Sequence, residues 1–517
     1  MSAPVLMVQG TASSVGKSVI AAGLCRLLRR RGARVAPFKA QNMSLNAAVT
    51  AEGGEIARST AVQAEAAGVE PTVDMNPILL KPEADMRSQV IVRGRVWGRR
   101  QASDYFRRRL ELWPVVVESL ERLRVTYDVV VAEGAGSPVE LNLRAGDLVN
   151  MRLARHAGAS VVLVGDIDRG GVFAQLIGTL DLLEPEERAL VKGTIVNRFR
   201  GDPGLFVDGV RILEQRTALP VFGVVPWVPD LGLAEEDGAT LDLASSSRAS
   251  DAETVRIAVL RLPRIANFDD FGALERTPGV ALGYVDRPDG LVGADLLVLP
   301  GSKSTVDDLE FLRRRGLAEA LVAARRRGTP VLGVCGGLQM LGRAIHDPDG
   351  VESALPTAPG LGLLRHETVF APGKRTARVR ARVEATHGPL AGAHGREVEG
   401  YEIHAGRSVE REDGAPVAGE DEDDAAPLRV LMRGGAAVDE PEGALSADGL
   451  VFGTYLHGLF ENEPVRRALV DWLRARRGLG PAAAARSVDP YERWADLLEA
   501  SLDVPSLLGR CGLSRWA

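Results

Sequence analysis

Short runs of β-branched and aliphatic residues recur along the first half of the chain, separated by stretches with helical periodicity: "VLMVQG" at 5, "YDVVVAEG" at 127, "SVVLVGD" at 160, "GTIVN" at 193 and "PVFGVVP" at 220. A strand that is apolar on both faces must be covered on both faces. When such strands alternate with helices, the arrangement that covers them is a parallel sheet with helices on each side. From 236 to 254, "EDGATLDLASSSRASDAET" loses all periodicity and reads as a linker. A second series then begins at "VRIAVLRL" (255), continues through "ADLLVLPG" (294) and "TPVLGVCGG" (329), and ends near "GLVFGTYLHGLF" (449). A chain of 517 residues exceeds what one hydrophobic core supports, so two doubly wound α/β domains are expected. Their predicted bounds are 1–236 and 255–465, joined by a linker at 237–254 and followed by a helical extension at 466–517 that caps the second domain. The acidic stretch 410–426 reads as a solvated loop, because like charges repel and no apolar face is present.

Composition excludes several classes. A net charge of −6, with 45% hydrophobic and 26% charged residues, gives no nucleic-acid-binding surface and no disordered signature. The three cysteines, Cys25, Cys335 and Cys511, are too widely spaced for a disulfide framework or a zinc cluster. The N-terminus carries no cationic leader, and no segment approaches the roughly 20 apolar residues a bilayer span needs. A cytoplasmic protein with no membrane partner is expected; the sequence assigns no oligomeric state.

"VQGTASSVGKSV" places a glycine-rich loop after the first strand and before a helix, as in a P-loop. Backbone amides would hold phosphates, Lys17 would neutralise them, and the Ser18 hydroxyl would reach magnesium. Gly10 to Gly16 is one residue longer than the standard spacing. After the second strand, "APFKAQNMSLN" puts Lys39 where it could reach the same phosphates or simply face solvent. Glu133 in "VVVAEGAGSP", and Asp166 and Asp168 in "VVLVGDIDRGGVF", sit at strand ends, where open α/β sheets bind ligands and carboxylates hold magnesium. Any one of them could instead cap a helix; three at the ends of one sheet favour a shared site.

These segments, together with "GGEIARSTAVQA", "LLKPEADMRSQVIVRG", "EGAGSPVELNL", "IVNRFRGD", "LPGSKST", "GVCGGLQMLG", "GYEIHAGR" and "GTYLHGLF", resemble the cobyric acid synthases, glutamine-dependent amidases of cobalamin biosynthesis. In that family the N-terminal P-loop NTPase-like domain is similar to dethiobiotin synthetase, whose phosphate loop has the longer form. The resemblance implies that Gly10, Thr11, Gly16, Lys17 and Ser18 bind ATP phosphates and that Lys39 assists at the transferred phosphoryl group. It further implies magnesium held by Ser18, Glu133 and Glu55, a base read by Asn197, and a corrinoid or magnesium site at Asn42, Asp166 and Asp168.

Alone, "PVLGVCGGLQML" leaves Cys335 equally readable as a buried residue or a nucleophile. Its Gly-x-Cys-x-Gly-x-Gln spacing resembles the elbow of class I glutamine amidotransferases, where a strained turn lifts the sulfur above the sheet and the Gly336 amide faces an oxyanion. A thiol with an ordinary pKa near 8.5 is only a few per cent thiolate at neutral pH, so a base is required. The resemblance assigns it to His457 in "GTYLHGLF", with His404 in "GYEIHAGR" as competitor; His156, His346, His366, His387 and His394 have no comparable setting. "LPGSKST" resembles the oxyanion strand, with Gly301 and Ser302 amides as second donors. Many class I glutaminases place a glutamate two residues after the histidine; here that position is Leu459, leaving a backbone carbonyl or another side chain such as Glu461 to orient His457.

The implied reaction uses ATP, Mg2+ and glutamine to amidate the b, d, e and g carboxylates of adenosylcobyrinic acid a,c-diamide. A second reading is the a,c-diamide synthase, disfavoured by "KAQNMSLN" and "GDIDRGGVFA". A third, from another class, is a P-loop switch ATPase of the chromosome-partitioning type with a relic second domain; it lacks its signature lysine here, where Ala12 stands.

Overall fold

The computed structural model describes residues 2–84, 87–228, 231–233, 253–409, 424–482 and 489–517. Residues 237–252 of the expected linker and 410–423 of the expected acidic loop lie outside them. The chain forms two compact units. One comprises Met1–Ser44, Glu55–Asp237 and Ser487–Ala517; the other comprises Leu45–Gly54 and Gly238–Arg486.

The first unit is built on a six-stranded sheet, ordered Val221–Pro226, Val191–Phe199, Ser160–Asp166, Val5–Gly10, Val129–Glu133 and Val35–Phe38. Every pairing in it is parallel. The near-continuous apolar runs of the sequence are explained by this, since Leu6, Met7 and Val8 are all fully buried between helices on both faces. The register pairs Gly10 with Val164, Val8 with Glu133 and Asp166 with Asn197, which gathers the expected phosphate-loop and carboxylate residues at one edge of the sheet. A second, four-stranded sheet (Gln41–Met43, Ile78–Ala84, Arg87–Val92, Arg95–Gln101) lies in the same unit and was not apparent from periodicity.

The second unit has its own six-stranded sheet, ordered Val280–Val285, Val255–Leu260, Leu296–Leu299, Val331–Val334, Val451–Thr454 and Ala444–Leu445, parallel except at the last pair. A four-stranded antiparallel sheet accompanies it: Glu397–His404, Arg375–Val383, Leu428–Arg433 and Ala436–Glu442.

The units are not consecutive stretches of chain, and here the structure corrects the sequence reading of the C-terminus. Helix Glu463–Arg476 does pack into the second unit through Val465, Leu469, Val470 and Leu473. The remainder, helices Pro490–Ser501 and Val504–Arg510, buries Trp494, Leu498, Leu502 and Leu507 in the core of the first unit beside Leu24 and Leu28. Four carboxylates on this tail, those of Asp489, Glu492, Asp496 and Glu499, pair with Arg26 and Arg30 on helix Lys17–Arg30 and with Arg31 at its C-cap. The pattern of the tail fits a helix on any acidic-complementary face; only the tertiary fold selects which.

Candidate active sites

In the second unit, Cys335 lies between strand Val331–Val334 and helix Gly336–Leu341 with φ 51° and ψ −106°. A positive φ on a side-chain-bearing residue costs energy and persists only where the surroundings enforce it. The enforcement is visible. The Cys335 amide donates to the Thr454 carbonyl at 2.7 Å, and the turn closes so tightly that a Cβ on Gly333 would sit 2.7 Å from the backbone of Gly337 and Leu338. A Cβ on Gly337 would overlap the Leu299 carbonyl. The glycines of the elbow are therefore there for close approach.

His457 follows strand Val451–Thr454 and is 1% exposed. Its Nδ1 is 2.7 Å from Asp270 Oδ2, and the Gly458 amide donates to Asp270 Oδ1 at 2.9 Å. Tyr401 stacks on the imidazole at 5.3 Å and exchanges both backbone hydrogen bonds with residue 457. With Nδ1 engaged, Nε2 is the free face of the ring, and it is buried without a hydrogen-bond partner of ordinary geometry among the described residues. Burial alone would pull the imidazole pKa down; the Asp270 carboxylate and the neighbouring Cys335 sulfur outweigh it and push it up to about 10. Carboxylate, imidazole and thiol thus stand in sequence, the arrangement by which an oriented base activates a nucleophile.

The orienting group is Asp270, which the sequence reading did not name; the imidazole bond goes to it and not to Glu461 or a carbonyl. It lies 187 residues upstream in "NFDDFGAL", so only the fold brings it to the histidine. Its one sequence signal was an acidic pair in the loop after the first strand of the second series. His404, the competitor, donates from Nδ1 to the Gly406 carbonyl at 2.7 Å and stacks on Tyr455. As that partner is a carbonyl, Nδ1 carries the proton; burial pulls the ring pKa down to about 3, so it stays neutral. His346, His366, His387 and His394 each bond a carboxylate, hydroxyl or carbonyl elsewhere, and His156 packs edge-on against Trp113.

Gly301 and Ser302 form a short strand paired antiparallel with Ile265 and Ala266. The Ser302 nitrogen lies 2.9 Å from the position a Cβ on Gly336 would take, so this strand packs against the residue that follows Cys335. Ser302 Oγ donates to Asp308 at 2.6 Å, which fixes the strand.

In the first unit, Gly16 has φ 97° and is packed against the Asn197 amide. Lys17 folds back over the loop, donating to the carbonyls of Ala12 at 2.8 Å and Gly136 at 3.1 Å, while Thr11 Oγ1 donates to Gln175. Glu133 is the hub. Its Oε1 accepts from Ser18 Oγ at 2.8 Å and Lys39 Nζ at 2.9 Å, and its Oε2 accepts from Gln63 at 2.6 Å. A serine hydroxyl touching a buried carboxylate at the N-terminus of a helix of 14 residues is an oxygen donor set of the kind magnesium–phosphate takes, so these residues fit that group.

Other expected members have the following partners among the described residues. Glu55 is tied to Lys81 at 2.6 Å, a buried pair with side chains 2% and 3% exposed. Asn197 donates to the Val15 carbonyl at 2.9 Å and so buttresses the loop from beneath, a contact other than base reading. Asn42 bonds Ser59 and the Met43 amide. Asp166 accepts from the Asp168 amide and pairs with Arg198 at 3.2 Å, and Asp168 pairs with Arg200, whose guanidinium holds that carboxyl below the usual range. Cys25 and Cys511 are core thiols, pushed up by burial, Cys511 to about 12.

Residues 6–241 match the family model of the CobQ/CobB/MinD/ParA nucleotide binding domain, and residues 256–465 that of the CobB/CobQ-like glutamine amidotransferase domain. The chain is 55% identical over 502 residues to a cobyric acid synthase of Chloroflexus aggregans, covering 97% of each. It is 54% identical to that of Chloroflexus aurantiacus, covering 99% of each, and 52% identical to that of Sorangium cellulosum, covering 100% of each.

Proposed function

The chain belongs to the cobyric acid synthase family of glutamine-dependent amidating ligases, and from that premise we propose that it amidates the b, d, e and g carboxylates of (adenosyl)cobyrinic acid a,c-diamide at two separate sites, one releasing ammonia and one activating carboxylates. The observation that supports the first site is the array of Asp270, His457 and Cys335 on a strained turn.

At that site the Cys335 sulfur attacks the side-chain amide carbon of glutamine. The electron pair moves to oxygen, which the Gly336 and Ser302 amides face. Collapse breaks the C–N bond, His457 gives its proton to the departing nitrogen, and a thioester remains. Water, deprotonated by the same imidazole, hydrolyses the thioester to glutamate and regenerates the thiol. Asp270 holds the ring so that Nε2 faces the sulfur throughout.

A carboxylate and ammonia do not condense in water without activation, and ATP with Mg2+ supplies a phosphoryl group that turns the carboxylate into an acyl phosphate. The loop Gly10–Ser18 and the helix amides would hold phosphate oxygens, Lys17 and Lys39 would neutralise charge, and Ser18 and Glu133 would hold the metal. Phosphoryl transfer is governed by positioning and charge neutralisation, which this set provides.

The test follows product mass with glutamine, ATP·Mg and the a,c-diamide, for the wild type and Cys335→Ser. Four amide additions are expected from the wild type, and the variant should lose glutamine use while still working with ammonium. Two additions to cobyrinic acid itself would move the assignment to the a,c-diamide synthase. Equal loss with ammonium in a folded variant would overturn the division into two sites.

A further inference from the structure

Residues 45–54 follow directly on the stretch that carries Lys39, yet they belong to the second unit. Two buried asparagines fasten them there. The Ala47 amide donates to Asn267 Oδ1 at 2.9 Å, and in return the Phe268 amide donates to Asn46 Oδ1 at 3.3 Å. Asn46 is 1% exposed and Asn267 3% exposed. A reciprocal pair of side-chain-to-backbone bonds fixes two segments in both distance and register, because either bond alone would leave a rotation open.

What is fastened is the loop that holds Asp270. Asn267 has φ 52° and ψ 45°, a left-handed conformation asparagine tolerates better than most residues, and it caps the short helix Phe268–Phe271 that contains Asp270. The Asp270 amide donates to the Asn267 carbonyl at 3.1 Å, so Asn267 sits one hydrogen bond from the group that orients His457. The same segment also reaches the other support of the imidazole. Arg378 Nε donates to the Val49 carbonyl at 3.0 Å, and Arg378 is paired in register with Tyr401, which stacks on His457.

We propose that Asn46 and Asn267 are positioning residues of the glutaminase, a clamp by which an N-terminal segment of the chain sets Asp270 and through it His457. The inference rests on the reading of Cys335 and His457 as the ammonia-releasing pair. Because the clamp acts on the base through Asp270, loosening it lowers kcat for glutamine and leaves KM nearly unchanged.

The test measures glutamine hydrolysis and ammonium-dependent amidation by the full-length protein carrying Asn46→Ala, Asn267→Gly, Asp270→Asn and the combination of Asn46→Ala with Asp270→Asn, beside Cys335→Ser. Asn267→Gly keeps the left-handed backbone while removing the bond to Ala47, and it carries the test if Asn46→Ala fails to fold. Each single clamp variant should lose roughly 10-fold in kcat for glutamine, the scale of a small misplacement of a catalytic group, with KM and ammonium-dependent amidation within about 2-fold of wild type. Added to Asp270→Asn, Asn46→Ala should cost nothing further. Unchanged kcat in the clamp variants while Cys335→Ser is inactive overturns the clamp alone, as does a full multiplicative loss in the double variant. Wild-type hydrolysis by Cys335→Ser overturns the glutaminase reading and the clamp with it.

Discussion

The Glu133 cluster and the Cys335 cluster occupy the same architectural place, the carboxyl edge of a parallel sheet where such folds bind ligands, but they are wired in opposite ways. Glu133 accepts from Ser18, Lys39 and Gln63, and Lys17 lies over two carbonyls, so the first cluster is bonded to itself. In the second, His457 Nε2 is buried without a hydrogen-bond partner of ordinary geometry among the described residues, and the Cys335 sulfur is close enough to help push the ring pKa up. A site whose chemistry is charge neutralisation needs cations that a polyanion and its metal can draw away from internal partners. A site whose chemistry is nucleophilic attack needs its base already aimed. On the proposed reading, the first cluster is completed by its ligand and the second is complete without it.

The sharpest break of that contrast is Asp270→Asn. An amide keeps the shape but no longer fixes the tautomer or stabilises the imidazolium, and loss of such an orienting carboxylate costs on the order of 10^3 to 10^4 in kcat. Glutamine hydrolysis should fall by that amount while ammonium-dependent amidation stays within about 2-fold. The same change has a pH signature. Because the folded His457 pKa is raised from 6.5 to about 10, the imidazolium adds stability that is whole below 6.5 and lost as pH rises through about 10. Melting curves from pH 6 to 10 should show that decline in the wild type and a flatter profile in Asp270→Asn; a variant with unchanged hydrolysis and an unchanged profile would remove Asp270 from the site.

The complementary break is Glu133→Gln. It should lower amidation with either nitrogen source by about 10^2-fold or more, the scale of losing one preorganised charged group, and leave glutamine hydrolysis intact. It also breaks the ion pair between Glu133 and Lys39, whose side chain is 4% exposed. Loss of a buried ion pair destabilises the fold, so the melting temperature should fall. Retained amidation would show that Glu133 is structural.

How far these sites could be read from sequence depends on how local their causes are. The elbow glycines, the phosphate loop and Glu133 are legible because each is fixed by its own strand-to-helix junction, which a dozen residues specify. Asp270 was not, since its role is created by a loop meeting a residue 187 positions away. Asn197 and Glu55 were assigned to the base and the metal by resemblance alone, and sequence does not show the partners the fold gives them: Asn197 donates to the Val15 carbonyl and Glu55 pairs with Lys81. The placement of segment 45–54 and of the tail 487–517 was illegible for a further reason, namely that a short segment carries no record of which of two cores it joins.

That last ambiguity gives the smallest predicted effect. Trp494 on the tail donates from Nε1 to the carbonyl of Val19, in the first turn of helix Lys17–Arg30, at 2.6 Å. The contact is possible because residue 23 is glycine; a Cβ there would overlap Leu498 and lie 2.8 Å from Trp494 Nε1. Trp494→Phe keeps the aromatic filling and removes one hydrogen bond, a loss of about 1 kcal/mol. In a unit of this size that lowers the melting temperature by roughly 2–4 °C. The shift should appear in the transition that ATP·Mg raises, with glutamine hydrolysis unchanged, because the helix the tail braces is the one whose N-terminus faces the phosphate loop. A shift confined to the transition that does not respond to nucleotide would place the tail on the glutaminase unit, where the sequence alone would have put it.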